Sequence, residues 1–343
     1  MHMADALISP AVGGVCWGAM AAGVAWTARR IARAPDERRT ALMGVLGAFV
    51  FAAQMINFSI PGTGSSGHLG GGLLLAILVG PDAALLVMTS VLVVQALLFA
   101  DGGLLALGCN VVNLGFMTCG IAYPLVFRPT AGARPAGPRL WGACIAAAVL
   151  GLELGALGVV LETTVSGQIV LPMGTFLALM LPIHLAIGLV EGIVTAAVVQ
   201  ALWKARPDLA EGAASRPAGR SLVRAALVIG LMAAVVAGAV SRFASTNPDG
   251  FEWSLARALG KAEVVTPGTK VHAAAAQVQG ATAVFPDYGA ADGAPRPAIS
   301  WAGIVGALVT LLVALAAGFG LRALRRRSSS TNPLPSRTED RCP

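Results

Sequence analysis

Long apolar runs separated by short polar links dominate the chain. They fall at about residues 10 to 28, 41 to 58, 69 to 80, 82 to 100, 103 to 127, 140 to 161, 172 to 203, 221 to 240 and 301 to 323. About 20 consecutive apolar residues can span a bilayer as a helix, and in lipid every backbone N–H and C=O must be satisfied within the protein. The pattern predicts an all-α integral membrane protein of about nine transmembrane helices. The third run is only about a dozen residues long and ends at Gly80-Pro81. It is too short to cross alone unless protein fills the bilayer around it, and short glycine-rich segments of this kind line sites.

Composition agrees with the pattern. Apolar residues make up 56% of the 343 and charged residues 12%, about half the charged share of an ordinary globular domain. The excess of 24 Lys and Arg over 17 Asp and Glu does not point to nucleic acid, because the basic residues sit in links beside apolar runs without interleaved aromatics. Cys16, Cys109, Cys119 and Cys144 lie inside apolar stretches and Cys342 lies in the polar tail, with no C-x-x-C pair. Small buried hydrophobes are the reading for such cysteines.

Charge also orients the chain. The links Arg29–Arg39, Arg128–Arg139 and Lys204–Arg224 and the tail from Arg322 hold 19 of the 24 basic residues. With nine spans they share one side, which the positive-inside bias makes the cytoplasm. The N-terminus is then external, the C-terminus cytoplasmic, and the chain multi-pass in the cell's inner (plasma) membrane. Outside lie residues 1 to 8, the loop IPGTGSSGH and a long polar segment over 241–300. The domains expected are a seven-helix capture unit over 1–203, a flexible linker over 204–220, a two-span unit over 221–323 and a disordered cytoplasmic tail over 324–343.

Two of the four histidines, His2 and His68, fall on that outer side. A lone histidine is ordinarily structural, but two at one entrance make a metal site plausible. Position two sharpens the idea. The amine of Met1, the amide nitrogen of His2 and its imidazole form fused five- and six-membered chelate rings, and His68 supplies a fourth nitrogen. Four planar nitrogens suit Ni(II) or Cu(II) better than a closed tetrahedral zinc site. The plain alternative is that Met-His is a start of no consequence. Gly62, Gly64 and Gly67 allow tight positive-φ backbone before His68; without G-x-x-x-x-G-K-[ST] the loop is no phosphate cradle.

Other polar residues in or near the spans have a bland and a functional reading. His184 and Glu191 lie seven apart on one helix face; they satisfy each other or nearby loops, or they serve a proton relay or a second metal. Asn57, Asn110 and Asn113 are interhelical hydrogen-bonding groups or orient metal ligands. Asp249, Glu252 and Asp287 form a solvated acidic surface or draw cations to the entrance.

MHMADALISP, QMINFSIPGTGSSGHLGGGLLLAILVGP, LLFADGGLLALGCNVVNLGF and HLAIGLVEGIVT together resemble the membrane-embedded substrate-binding subunit of cobalt/nickel energy-coupling-factor transporters, over about residues 1 to 203. NPDGFEWSL and FPDYGA, between two apolar runs, are similar to the small auxiliary subunit of the same systems, with its PDGLE-type domain, over roughly 221 to 323. The resemblance implies that Met1, His2 and His68 hold the metal, in agreement with the chelate argued above. Asn57, Asp101, His184 and Glu191 are the candidates to support those ligands from a second layer. Aspartate at 101, where the cobalt branch often has histidine, leans toward nickel, as does the fusion, so Ni(II) is the expected cargo and Co(II) the second choice. The implied partners are a transmembrane coupling subunit, two cytoplasmic ATPases and the lipid bilayer. No Walker motif occurs in the chain, so the expectation is a transporter subunit and not an enzyme. A stand-alone secondary transporter or channel needs more polar groups along a path than Glu153 and Glu191 supply, and a metalloprotease needs H-E-x-x-H or an equivalent.

Overall fold

A computed structural model describes residues 2–34, 36–132, 135–205, 219–260, 268–289 and 296–330. The linker and tail expected over 204–220 and 324–343 fall largely outside these residues, as does Met1.

Among the described residues, the regular structure is helix apart from one hairpin. α1 (Pro10–Arg33) begins where Ser9 accepts from Val12 N–H and Pro10 fills the first turn, a start in which the missing proline N–H costs nothing. α2 (Glu37–Gln54) is capped by Asp36. Strands β1 (Phe58–Ile60) and β2 (Ser65–Gly67) pair antiparallel, Phe58 opposite Gly67, across a turn in which Gly62 and Gly64 take φ of 78° and 77°. α3 (Gly72–Val79) ends at Gly80, φ 82°, and Pro81 opens α4 (Pro81–Leu98). α5 (Leu107–Ala131) winds as a π-helix over Val111–Phe127. α6 (Gly137–Ser166) and α7 (Met173–Ala205) then pack as a long pair, with Gly188 and Gly192 against the backbone of Val149 and Ile145.

Seven helices among the described residues are long and apolar enough to cross a membrane. The other two expected spans are α2 and α3. α2 carries Glu37, Arg38 and Arg39 in its first turn, and α3 has eight residues, about 12 Å of rise against a hydrocarbon core of about 30 Å. Leu73, Leu75 and Ala76 of α3 are fully buried, so protein does surround this short helix.

The last third of the chain packs on α2 through α8 (Gly219–Gly238) and the long C-terminal helix α11 (Arg296–Ser330); two shorter helices lie between them in the chain. Phe51 of α2 occupies the space beside Gly306 of α11. The polar segment between these spans is built largely of helix: α9 (Gly250–Leu259), opened by an Asp249–Glu252 capping box, and α10 (Lys270–Thr282), capped by Thr269. α9 rests on α7 and β2, and α10 on α4, which brings both to the end of the bundle that holds the hairpin.

Candidate metal centre

Residues 2–8 are threaded into the protein. Met3, Leu7 and Ile8 are at most 1% exposed. Met3 N–H donates to Asn110 Oδ1 at 2.8 Å, and Met3 C=O accepts from Gly103 N–H at 2.8 Å. Asp5 Oδ1 accepts from Ala106 N–H at 2.9 Å; a Cβ on Gly103 would lie 1.8 Å from that oxygen, so only glycine fits there. His272 of α10 points Nε2 at the carbonyls of Asp5 and Ile8, at 3.1 and 3.0 Å. Two carbonyl acceptors select the tautomer protonated on Nε2.

Threading sets His2 against His68, their rings stacked with centroids 5.1 Å apart and planes 19° from parallel. His68 donates Nδ1–H to Leu69 C=O at 3.1 Å, and its buried Nε2 has no hydrogen-bond partner among the described residues. A buried lone pair with no donor costs free energy and is what a metal ligand presents. Burial pushes the His68 pKa down to about 3. It also holds His2 below its ordinary value against the pull of Asp101. Both rings are therefore neutral near pH 7, as ligation requires.

A hydrogen-bond relay fixes which nitrogen of His2 carries the proton. Glu191 accepts from Gly70 N–H at 2.7 Å and Gly71 N–H at 2.9 Å, which holds this loop; Gly71, φ 77°, is packed on Val50. Gln54 donates Nε2–H to Gly70 C=O at 2.7 Å, so its Oε1 faces Gln95, which donates to it at 2.7 Å. Gln95 must then present Oε1 to His2 Nε2, at 3.2 Å, and the proton resides on Nε2. Nδ1, the atom that closes a six-membered chelate with the His2 amide, faces Asp101 Oδ1 at 3.4 Å. A lone pair beside a carboxylate is satisfied when a cation stands at Nδ1.

Asp101 is held in turn by Tyr288 Oη–H. Tyr288 and Asp287 adopt left-handed backbone, φ 58° and 49°, which non-glycine residues rarely take. The turn is pinned by Phe285 and Asp287 N–H groups donating to Leu98 and Phe99 C=O at 3.0 and 2.9 Å, and Tyr288 stacks on Phe99. Such strain at a site persists because its surroundings enforce it.

A second segment of the C-terminal unit covers the hairpin. Ser66 N–H donates to Pro248 C=O at 2.8 Å and Ser66 Oγ to Asn247 C=O at 2.8 Å; Ser66 and Asp249 form a parallel bridge. Ser245 N–H donates to Asn57 C=O at 2.7 Å. His68, His184, Asp249 and Gly250 wall one small cavity.

Of the residues singled out in the sequence, His2, His68 and Asp101 come together, with Glu191 one step behind them. Met1 lies outside the described residues. His184 borders the same cavity but donates to its own helix, Nδ1 to Met180 C=O at 2.8 Å, and Asn57 contributes its backbone carbonyl. His184 and Glu191 do not satisfy each other: Glu191 serves the loop. Gly67 lies in β2 and not at a positive φ; its lack of a Cβ instead makes room for Ile187, 2.5 Å from where one would sit. Gln54, Gln95 and His272 were missed, although an isolated glutamine in an apolar run is a polar group that needs a partner.

Residues 2–209 match the family described as the cobalt uptake substrate-specific transmembrane region, and residues 223–323 match the PDGLE domain. The "Probable fused nickel transport protein LarMN" of Lactiplantibacillus plantarum is 31% identical over 332 residues, 92% of this chain and 95% of that protein. The fused nickel transport protein NikMN of Rhodobacter capsulatus is 30% identical over 61% of this chain and 63% of its own length. The crystal structure of a truncated transition metal transporter superposes with a TM-score of 0.53 at 28% identity, over 60% of this chain and 99% of that one. The chain belongs to the family of cobalt-uptake substrate-specific transmembrane regions, joined in one polypeptide to a PDGLE domain.

Proposed function

We propose that this metal transport component captures Ni(II), and Co(II) second, for uptake by an energy-coupling-factor system. The observation that carries the reading is the His2–His68 pair, stacked at 5.1 Å, in which His68 Nε2 is buried with no partner among the described residues while the relay through Gln95 leaves His2 Nδ1 as the lone-pair nitrogen. With the amine of Met1 and the amide of His2 these make four nitrogen donors, a set that suits Ni(II).

In this reading the protein's residues do three things. His2 and His68 ligate. Gln54 and Gln95 hold His2 in the ligating tautomer, because an outer partner on one ring nitrogen fixes the role of the other, and the Asp101 carboxylate beside Nδ1 draws the cation to it. Asn110, Gly103, Ala106 and His272 hold the inserted terminal segment by hydrogen bonds that break one at a time, so the ion leaves when that segment withdraws. The capture face is external, and a transmembrane coupling subunit with two cytoplasmic ATPases supplies the energy for release.

Metal analysis of the purified protein, after separate exposure to Ni(II) and Co(II), tests this. One equivalent of Ni(II) is expected, lost in His2→Ala, in His68→Ala and in a variant extended by one residue before Met1. Retention in the extended form overturns the chain-terminus chelate. Uptake by this chain in vesicles without ATPases overturns the partner assignment.

A further inference from the structure

Outside the histidine pair, two thiols and a carboxylate converge on the N-terminal segment from three different helices. Cys16 of α1, Cys109 of α5 and Glu162 of α6 place their Sγ and carboxylate oxygen atoms all within 4.8 Å of one another. We propose that they form a second metal site, for a thiophilic divalent cation of the Zn(II) or Cd(II) class, distinct from the nitrogen site.

The packing brings the ligands together rigidly. A Cβ on Gly108, the neighbour of Cys109, would lie 2.5 Å from the Cys16 carbonyl carbon and 2.4 Å from the Trp17 nitrogen, so α1 and α5 touch backbone to backbone here. Trp17 also donates Nε1–H to Leu104 C=O at 3.0 Å. Tetrahedral coordination at about 2.3 Å to sulfur and about 2.0–2.2 Å to oxygen puts ligand atoms about 3.5–3.8 Å apart. Side-chain rotation alone covers the remaining ångström. Cys109 is fully buried while Cys16 and Glu162 are half-buried, which leaves the open position on the Cys16–Glu162 side.

The charge is compatible with a site inside the bilayer. Glu162 accepts from Cys16 Sγ–H at 3.6 Å and from Asn113 Nδ2–H at 2.7 Å, the pattern of a carboxylate. Binding replaces two thiol protons by one divalent ion: M²⁺ plus two R–SH and one carboxylate give a bis-thiolate carboxylate complex and two protons released to solvent. The site therefore carries one net negative charge before and after, so binding adds no net charge to the bilayer interior.

Asn113 links the two sites, since its Nδ2 lies 3.9 Å from Met3 Sδ as well as bonding Glu162. An ion that draws Glu162 toward the thiolates loosens the Asn113 contact beneath the residue that follows His2. A thiophilic ion thus acts on the terminal segment without competing for His2 or His68.

Cadmium titration of the full-length protein, read by the sulfur-to-cadmium charge-transfer absorption, is the test. It does not depend on the transport reading. One equivalent is expected to give the band in the intact protein and in His68→Ala. Cys16→Ser and Cys109→Ala should abolish it, and Glu162→Gln should weaken binding by about tenfold. Circular dichroism and elution volume establish that each variant is folded; Cys16→Ser, at the half-exposed position, is the second check should Cys109→Ala fail to fold. Absence of the band in the intact protein, or its persistence in a folded cysteine variant, overturns the proposal. Its loss in His68→Ala overturns the separateness of the two sites.

Discussion

Gln95 Oε1 lies 3.2 Å from His2 Nε2, at the end of a chain of hydrogen bonds whose direction is set by one backbone carbonyl, that of Gly70. Because each glutamine has one donating and one accepting end, the Gly70 carbonyl dictates the proton position on a histidine two side chains away. Gln95→Leu removes the acceptor and leaves Gln54 Oε1 without its donor. Ni(II) affinity should fall by about 10- to 100-fold with the helical fold retained, measured by equilibrium dialysis beside circular dichroism. Unchanged affinity would mean that the tautomer of His2 is set elsewhere.

Asp101 acts on the same ring from its other nitrogen, 3.4 Å away. Asp101→Asn keeps a partner for Tyr288 Oη but removes one negative charge from beside the cation. A weakening of about tenfold or more is expected, since a charge pair at this distance is worth up to about 4 kcal/mol near a protein surface. Tyr288→Phe should cost less, because it frees Asp101 without removing its charge. If Tyr288→Phe proves the more damaging, the turn positions the site and the carboxylate does not.

Much of this could be read in the sequence, for identifiable reasons. The apolar runs gave the helices because lipid permits little else, and the break at Gly80-Pro81 was legible because proline opens a helix and glycine ends one. His2, His68 and Asp101 were found through their position and the resemblance. The relay was not, since Gln54 and Gln95 are 41 residues apart and no periodicity within one helix pairs them. The fold of the 241–300 segment was hidden for another reason. Lys270–Thr282 is rich in alanine, and the Nε2 of its buried histidine is satisfied by carbonyls at the other end of the chain.

The contact between Ser66 and the 247–249 backbone makes the C-terminal unit a cover for the hairpin. Gly250 lies so close to α7 that a Cβ would meet Ile183 at 2.4 Å, so Gly250→Val should lift this cover while leaving His2 and His68 intact. Metal should then dissociate several-fold faster, followed by stopped-flow competition with a chelator, with binding stoichiometry unchanged. Loss of stoichiometry instead would assign the segment to the ligand shell.

The histidine pair also makes the metal-free site sensitive to acid. His68 has its pKa lowered to about 3 by burial, whereas an opened, solvated imidazole titrates near about 6.5. Between those values the open state binds more protons than the closed one, so stability rises with pH across that window. It is fully present above about pH 6.5 and is lost progressively as pH falls toward about 3. By about pH 5 the loss is on the order of 1–2 kcal/mol. Thermal unfolding of the metal-free protein should therefore show a midpoint that drops from pH 7 to pH 5, two values about neutral and below the histidine range, and His68→Asn should flatten that slope. Bound Ni(II) should raise the midpoint without flattening the slope, because the ligated closed state takes up no proton while the open state still does. An equal slope in His68→Asn would place the acid-sensitive group elsewhere, and the neutral, unpartnered nitrogen on which the metal reading depends would lose its support.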